Sequence, residues 1–212
     1  GCLGMMGVST KKLLIGVNNL NTKNARASLI WPILIRKSLM QAANFSELQH
    51  IVENAPVTSG HNYLLSSEKN GAMWEITPQG AEQVSSMSDE TNVNFIVHTN
   101  HCLGKKTKDY ENPISINSTT HVRYDLLLKG AAHIKNTQDM KSLLHSHENY
   151  PKSICNHFQS GENDPSATCG GGVYNLTNEE LFFWRGCVKF DQNYKSYNFK
   201  IKNNCFKKVS EN

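Results

Sequence analysis

The 212-residue sequence has no apolar run that approaches the ~20 residues of a membrane-spanning helix. The longest, from Ile30 to Leu39, is broken by Pro32, Arg36 and Lys37. No signal peptide is visible at the start. The six cysteines, Cys2, Cys102, Cys155, Cys169, Cys187 and Cys205, include no CxxC pair. A disulfide framework is therefore not expected in a chain long enough to bury a full core. Reduced, mostly buried thiols are expected instead, and with them a cytoplasmic setting. Asn44, Asn117 and Asn175 stand in Asn-x-Ser/Thr sequons, read as chance matches in the absence of a secretion signal. Charge is sparse too: 19% of residues are charged and the net charge is +4. The basic clusters at Lys105, Lys106 and Lys108, and at Lys200, Lys202, Lys207 and Lys208, form no continuous face with aromatics. No nucleic-acid partner and no membrane partner are expected. Gly170-Gly171-Gly172 lacks the GK[ST] of a phosphate loop, and close backbone packing explains it instead.

What remains fits one globular domain over residues 1–212. The run Leu13 to Val17 predicts a buried strand. "ASLIWPILIRKSLMQAA" predicts a helix capped by Ser28, with Pro32 in its first turn and Ile30, Leu34 and Met40 as its apolar stripe. "NFSELQHIVENAP" predicts a second helix, capped by Asn44, facing inward through Leu48, Ile51 and Val52 and stopped by Pro56. "HNYLLSS", "GAMWEIT" and "NFIVHTN" predict strands, the first two joined at Lys69-Asn70-Gly71. Gly104 to Asn117 reads as a polar surface loop. Two helices follow, one from Thr119 to Ala132 with Val122, Leu126 and Leu127 inward, one from Thr137 with Met140, Leu143 and Leu144 inward. After a long loop, "CGGGVYNL" and "LFFWRG" predict a hairpin, and "YNFKI" a further strand. Helices and strands come in blocks, which predicts a layered α+β fold rather than alternating βαβ units.

The stretch "VHTNHCLG" carries the most chemistry. His98, His101 and Cys102 are residue types that bind zinc. Cys102 with His98 or His101 would be a nucleophile pair, although neighbours on a strand point to opposite faces. Asn100 offers a side-chain NH2 to a developing oxyanion. Alternatively, these side chains only tie a loop to a strand.

"HTNHCL" resembles the central motif of the isopenicillin N acyltransferase family, the acyl-CoA:6-aminopenicillanic acid acyltransferases. "GCLGMMGVSTKKLLIGVNNL" resembles that family's glycine-rich segment, and the region from Trp31 to Leu65 its helix pair and following strand. "ENYPKSIC" and "SAT" resemble two later landmarks. The resemblance implies an Ntn hydrolase with an αββα sandwich. It implies a precursor that cuts itself at a Gly-Cys bond, freeing a cysteine as nucleophile with its own α-amino group as base. An acyl-enzyme then passes its acyl group to water or an amine. The family's oxyanion asparagine falls on Asn100. The implied partner is a small acyl amide or thioester; no cofactor is expected, and acyl-CoA fits as a substrate.

Three departures stand out. Ser9 and Lys12 occupy the family's Asn and Gly positions in its "G-x-N-S/E-x-G-L" turn. Asp164-Pro165 precedes "SAT", where some members carry Ser-Arg. Cys2 follows Gly1 and is thus the candidate nucleophile, yet a mature chain should begin with the cysteine itself, and no "N-W-D" segment follows. The opening aligns instead with a family segment downstream of the nucleophile. The expectation is an αββα domain incomplete at its N-terminus, which would need a separate N-terminal segment or subunit. The competing expectations are a catalytically incomplete form of the same fold, or a metal-binding module at His98, His101 and Cys102.

Thr77, His98 and His101 are candidates for lining a substrate pocket, Thr77 also for a strand-end hydrogen bond. Arg36 matches a family arginine and could hold an acid or form a structural ion pair. Glu75 could be a buried acid or a solvent-facing strand residue. His145 and His147 invite a metal reading, but a tolerant helix terminus also accounts for them.

Overall fold

A computed structural model describes residues 6–90, 92–114, 118–157, 167–203 and 205–211. Cys2 and Asp164-Pro165 lie outside the described residues. The chain divides into two compact units, Gly1–Ile114 and Ser115–Asn212. Each has its own antiparallel sheet and its own helices, so the chain is α+β as the order of elements predicts. No described helix is long and apolar enough to cross a membrane.

In the first unit, strands β1 (Gly7–Val8), β2 (Leu14–Asn19), β3 (His61–Ser66), β4 (Asn70–Thr77) and β5 (Gly80–Ser88) form a sheet in sequence order. Helices α1 (Trp31–Gln41) and α2 (Phe45–Glu53) cover one face. That face takes alternate residues of each strand: Leu13, Ile15 and Val17, then Tyr63 and Leu65, then Ala72, Trp74 and Ile76. They pack with Leu34, Ile35, Leu48 and Val52 from the helices. Burying a side chain of this size contributes about 1.5–3 kcal/mol. Asn44 caps α2 as expected, accepting from Glu47 N at 3.0 Å, while the Glu47 carboxylate returns a bond to Ala43 N.

Two details of α1 differ from expectation. Ser28 does not cap it; its hydroxyl donates to Pro56 O, and Ile30 holds the cap position. The inward stripe is Pro32, Leu34, Ile35 and Ser38, whereas Ile30 and Met40 are exposed. Starting the helix at Trp31 rotates the stripe away from Ile30.

β4 is buried along nearly its whole length, because both of its faces are covered. Its second face carries Met73, Glu75 and Thr77. The segment after β5 lies against this face: Ile96 Cδ1 sits 3.5 Å from where a Gly71 Cβ would be. The predicted strand "NFIVHTN" is this covering segment, and it joins no sheet ladder. The strand that pairs with the other edge of β4, opposite β3, is β5, whose sequence GAEQVSSMS lacks apolar alternation. The predicted surface loop holds a short helix, α3 (Lys105–Lys108), with Thr107 buried.

The β1–β2 turn runs Ser9-Thr10-Lys11-Lys12. Ser9 N donates to Leu13 O and Lys12 N to Ser9 O. Lys12 has φ 57°, left-handed backbone, at the position where the resemblance puts glycine.

The second unit holds α4 (Thr120–Ala131), α5 (Thr137–Leu144) and a four-stranded meander: β6 (Gly170–Asn175), β7 (Glu180–Arg185), β8 (Lys195–Lys202) and β9 (Cys205–Glu211). The predicted helices, the Thr177-Asn178-Glu179 hairpin and the "YNFKI" strand are present; β9 is additional. Val122, Leu126, Leu127, Leu143 and Leu144 are half-buried, and Met140 is exposed. The Gly170–Gly172 run is explained by packing, since a Cβ on Gly171 would collide with the Trp184 ring.

Candidate functional site

The second face of the first sheet carries a polar row. Asn18 is the register partner of Asn62, Asn62 of Glu75, and Glu75 of Glu82. A bulge in the β4–β5 pairing between Met73 and Trp74 brings Glu82 opposite Glu75. Asn62 Nδ2 donates to Asn18 Oδ1 at 3.2 Å. Asn62 is fully buried, and its Oδ1 has no hydrogen-bond partner among the described residues.

The His98–Thr107 loop is fastened to this row through its backbone. Cys102 N donates to Glu111 Oε1 at 2.6 Å. Leu103 N and Gly104 N donate to Glu75 at 2.6 and 3.1 Å. Lys105 N, Lys106 N and Thr107 N donate to Glu82 at 3.2, 2.8 and 3.3 Å. Every backbone N–H from Cys102 to Thr107 thus ends on a carboxylate. Hydrogen bonds to a charged acceptor contribute about 1.5–3 kcal/mol each. Gly104 permits the approach, since a Cβ there would collide with the Glu82 carboxylate.

Glu75 also accepts from the Thr107 hydroxyl and from His98 Nε2, the latter at 2.8 Å. It is fully buried, which settles the alternative left open by its sequence. Burial pushes its carboxyl up, but the bonds from His98, Leu103, Thr107 and Gly104 outweigh burial and hold it below the ordinary range. His98 Nδ1 lies 2.8 Å from Thr99 O. Both nitrogens of the ring therefore face oxygens that accept.

Asn100 projects from this loop to the end of β2, where its Nδ2 donates to Asn19 O at 3.0 Å. This bond fixes the plane of the Asn100 amide.

The other candidates are placed as follows. His98 anchors the loop to Glu75. His101 is buried, with its Nδ1 3.2 Å from the Thr99 hydroxyl. The Thr77 hydroxyl closes the β4–β5 turn, donating to Gly80 O and accepting from Gln79 N, the strand-end bond its sequence position suggested. Cys102 is 1% exposed, and burial with the Glu75 and Glu111 charges pushes its thiol up to about 12. Both effects disfavour the thiolate, the form that attacks. Nor do His98, His101 and Cys102 form a metal site among the described residues, since both His98 nitrogens are engaged by Thr99 O and Glu75.

Arg36 is exposed on α1, beside a groove of about 460 Å³ that it lines with Met6, Val8, Ser9, Leu39 and others. A second groove, of about 300 Å³, lies on the helix-covered side between Trp31, Pro32, Val57, His61 and Tyr63. Neither includes Asn100.

The loop that carries Asn100 stood out in the sequence by its motif. Glu82, Glu111 and Asn62 did not, because their partners come from distant segments. No individual curated protein matches the chain. The sequence model of the family described as acyl-coenzyme A:6-aminopenicillanic acid acyl-transferase matches residues 2–169, a span that includes the whole polar row and the His98–Thr107 loop. The chain belongs to that acyltransferase family.

Proposed function

We propose that the chain is an acyltransferase or amide hydrolase that works through an acyl-enzyme on a small amide or acyl thioester, in an Ntn-hydrolase αββα frame. Acyl-CoA fits as the acyl donor. Asn100 is the oxyanion donor. A cysteine thiolate attacks the substrate carbonyl, and the carbonyl oxygen gains the negative charge that the Asn100 N–H meets. The tetrahedral intermediate collapses, the C–N or C–S bond breaks, and the leaving amine or thiol takes a proton. Water or a second amine then attacks the acyl-thioester and frees the thiol.

The observation that carries this reading is the fixed amide of Asn100, bonded to Asn19 O and set on a loop held by three carboxylates. Such rigidity suits a donor that must not reorganise as charge develops. The nucleophile in this reading is an N-terminal cysteine freed by self-cleavage, either Cys2 or one supplied by a separate N-terminal segment or subunit. Cys102, the one cysteine described in the first unit, is buried with its thiol pushed up to about 12, and that favours a second reading, a catalytically incomplete form of the fold.

Trapping separates the two. The chain, and the full product of its gene, would be treated with an activated acyl thioester and a small anilide, then mapped by mass spectrometry. The first reading expects one hydroxylamine-labile acyl group on one cysteine, formed more slowly in Asn100→Ala. An absence of adduct in both preparations would establish the incomplete form.

A further inference from the structure

The second unit brings together four side chains that acyl transfer does not use. His147 lies just beyond α5, Cys155 and His157 in the segment that follows, and Cys187 one residue past Gly186, where left-handed backbone (φ 79°) turns the chain out of β7. Their ligating atoms all lie within 4.8 Å of one another. His147 Nε2 is 3.2 Å from His157 Nε2 and 3.2 Å from Cys187 Sγ, and Cys155 Sγ is 3.8 Å from His157 Nε2. With Zn–N near 2.0 Å and Zn–S near 2.3 Å, a tetrahedron has edges of roughly 3.3 Å between nitrogens and roughly 3.8 Å between sulfurs. The observed separations are of that size.

The donor set selects the ion. Two thiols and two imidazoles, with no carboxylate, suit zinc and disfavour magnesium or calcium. Two thiolates would also neutralise a divalent charge. Four protein ligands leave no open position, which is the arrangement of a structural site rather than a catalytic one.

The surroundings support these positions. Lys189 N donates to Cys187 Sγ at 3.4 Å, an outer bond of the kind that stabilises a ligating thiolate. Cys155 is held at its backbone, its N–H on Ser146 O and its carbonyl on the Ser153 hydroxyl. Both cysteines are buried. Phe190 presents its ring edge-on to His147 and His157, at 5.2 and 5.1 Å between centroids. Cys187 lies beyond the residues that match the acyltransferase family, so that match does not contain the whole set.

We propose that His147, Cys155, His157 and Cys187 bind one zinc ion in a closed tetrahedral site that ties the segment after α5 to the turn after β7. Binding displaces the two thiol protons to solvent, leaving the complex neutral at its ligands. No redox step is involved, and no residue is shared with the Asn100 loop.

The test uses the full chain, purified in reductant without chelator and reconstituted with zinc sulfate. Elemental analysis should give one zinc per chain, and native mass spectrometry the matching mass. Replacing zinc with Co²⁺ should give tetrahedral d–d bands and thiolate charge transfer. Cys187→Ser should lose about half of that charge-transfer intensity and weaken zinc binding at least ~10-fold, while Cys205→Ser, an exposed cysteine on β9, should keep both. Should Cys187→Ser fail to fold, a competing chelator titrated into the wild type decides the matter, with release of one zinc and a lowered unfolding midpoint expected. Zinc well below one per chain after reconstitution would overturn the proposal. So would a Cys155–Cys187 disulfide found by non-reducing peptide mapping of the protein as purified.

Discussion

His98 Nε2 donates to Glu75 Oε1 across 2.8 Å, with the two side chains 2% and 0% exposed. This bond joins the motif that bears Asn100 to the middle of the sheet. Removing a buried acceptor leaves the donors that converge on it unsatisfied. Glu75→Gln is therefore expected to destabilise the protein by about 3 kcal/mol, since the amide cannot serve His98 and two backbone N–H groups as the carboxylate does. Urea unfolding checks this, and a loss under about 1 kcal/mol would show that the loop is held mainly by Glu82 and Glu111.

Acid sensitivity follows from the same carboxylate. Its folded-state pKa lies below its ordinary value of 4.5. The stability it contributes is fully present above that ordinary value and is lost as pH falls through the lower folded value. Urea midpoints measured from about pH 7 to about pH 3 should therefore fall steeply at the acid end in the wild type and less steeply in Glu75→Gln. Parallel profiles would assign the acid loss to other groups.

Asn100 can be tested by charge as well as by truncation. On the proposed oxyanion role, Asn100→Ala is expected to lower kcat by roughly 10²–10³-fold with little change in KM, because such a donor acts on charge that develops only in the transition state. Asn100→Asp should be at least as slow, since a carboxylate donates nothing and repels the oxyanion. Recovery of activity in the Asp variant would exclude the oxyanion role.

Lys12 holds left-handed backbone that costs a side-chain-bearing residue roughly 1–2 kcal/mol. Its ammonium gains an exposed ion pair with Glu68 at 3.2 Å, worth about 0–1 kcal/mol. Lys12→Gly should therefore stabilise the first unit by about 0.5–1 kcal/mol, read as a raised thermal midpoint. A lowered midpoint would mean that the ion pair outweighs the strain.

Much of the fold was legible where signals are local. Asn44 with Glu47 marks the start of α2, and Lys69-Asn70-Gly71 the β3–β4 hairpin. β5 was not legible, because a strand edged by Ser and Gln shows no apolar alternation. "NFIVHTN" misled for the opposite reason: its apolar residues serve to cover β4, and covering does not require a ladder. The motif at Asn100 could be read directly, but the burial of Glu75 could not. Its partners come from His98, Leu103, Gly104 and Thr107, more than twenty residues along the chain. The four residues of the second unit escaped for a similar reason. His147 stood out beside His145, but Cys155, His157 and Cys187 lack the short paired spacing that would have joined them to it.

The backbone bonds from Cys102 to Thr107 place the instructions for this loop outside the loop itself. Glu75, Glu82 and Glu111 hold its shape, and they grip amide groups that nearly every residue type supplies. Exposed side chains there, such as those of Lys105 and Lys106, are thus interchangeable in a way the three acids are not. Proline is the exception, because it alone brings no N–H to the grip.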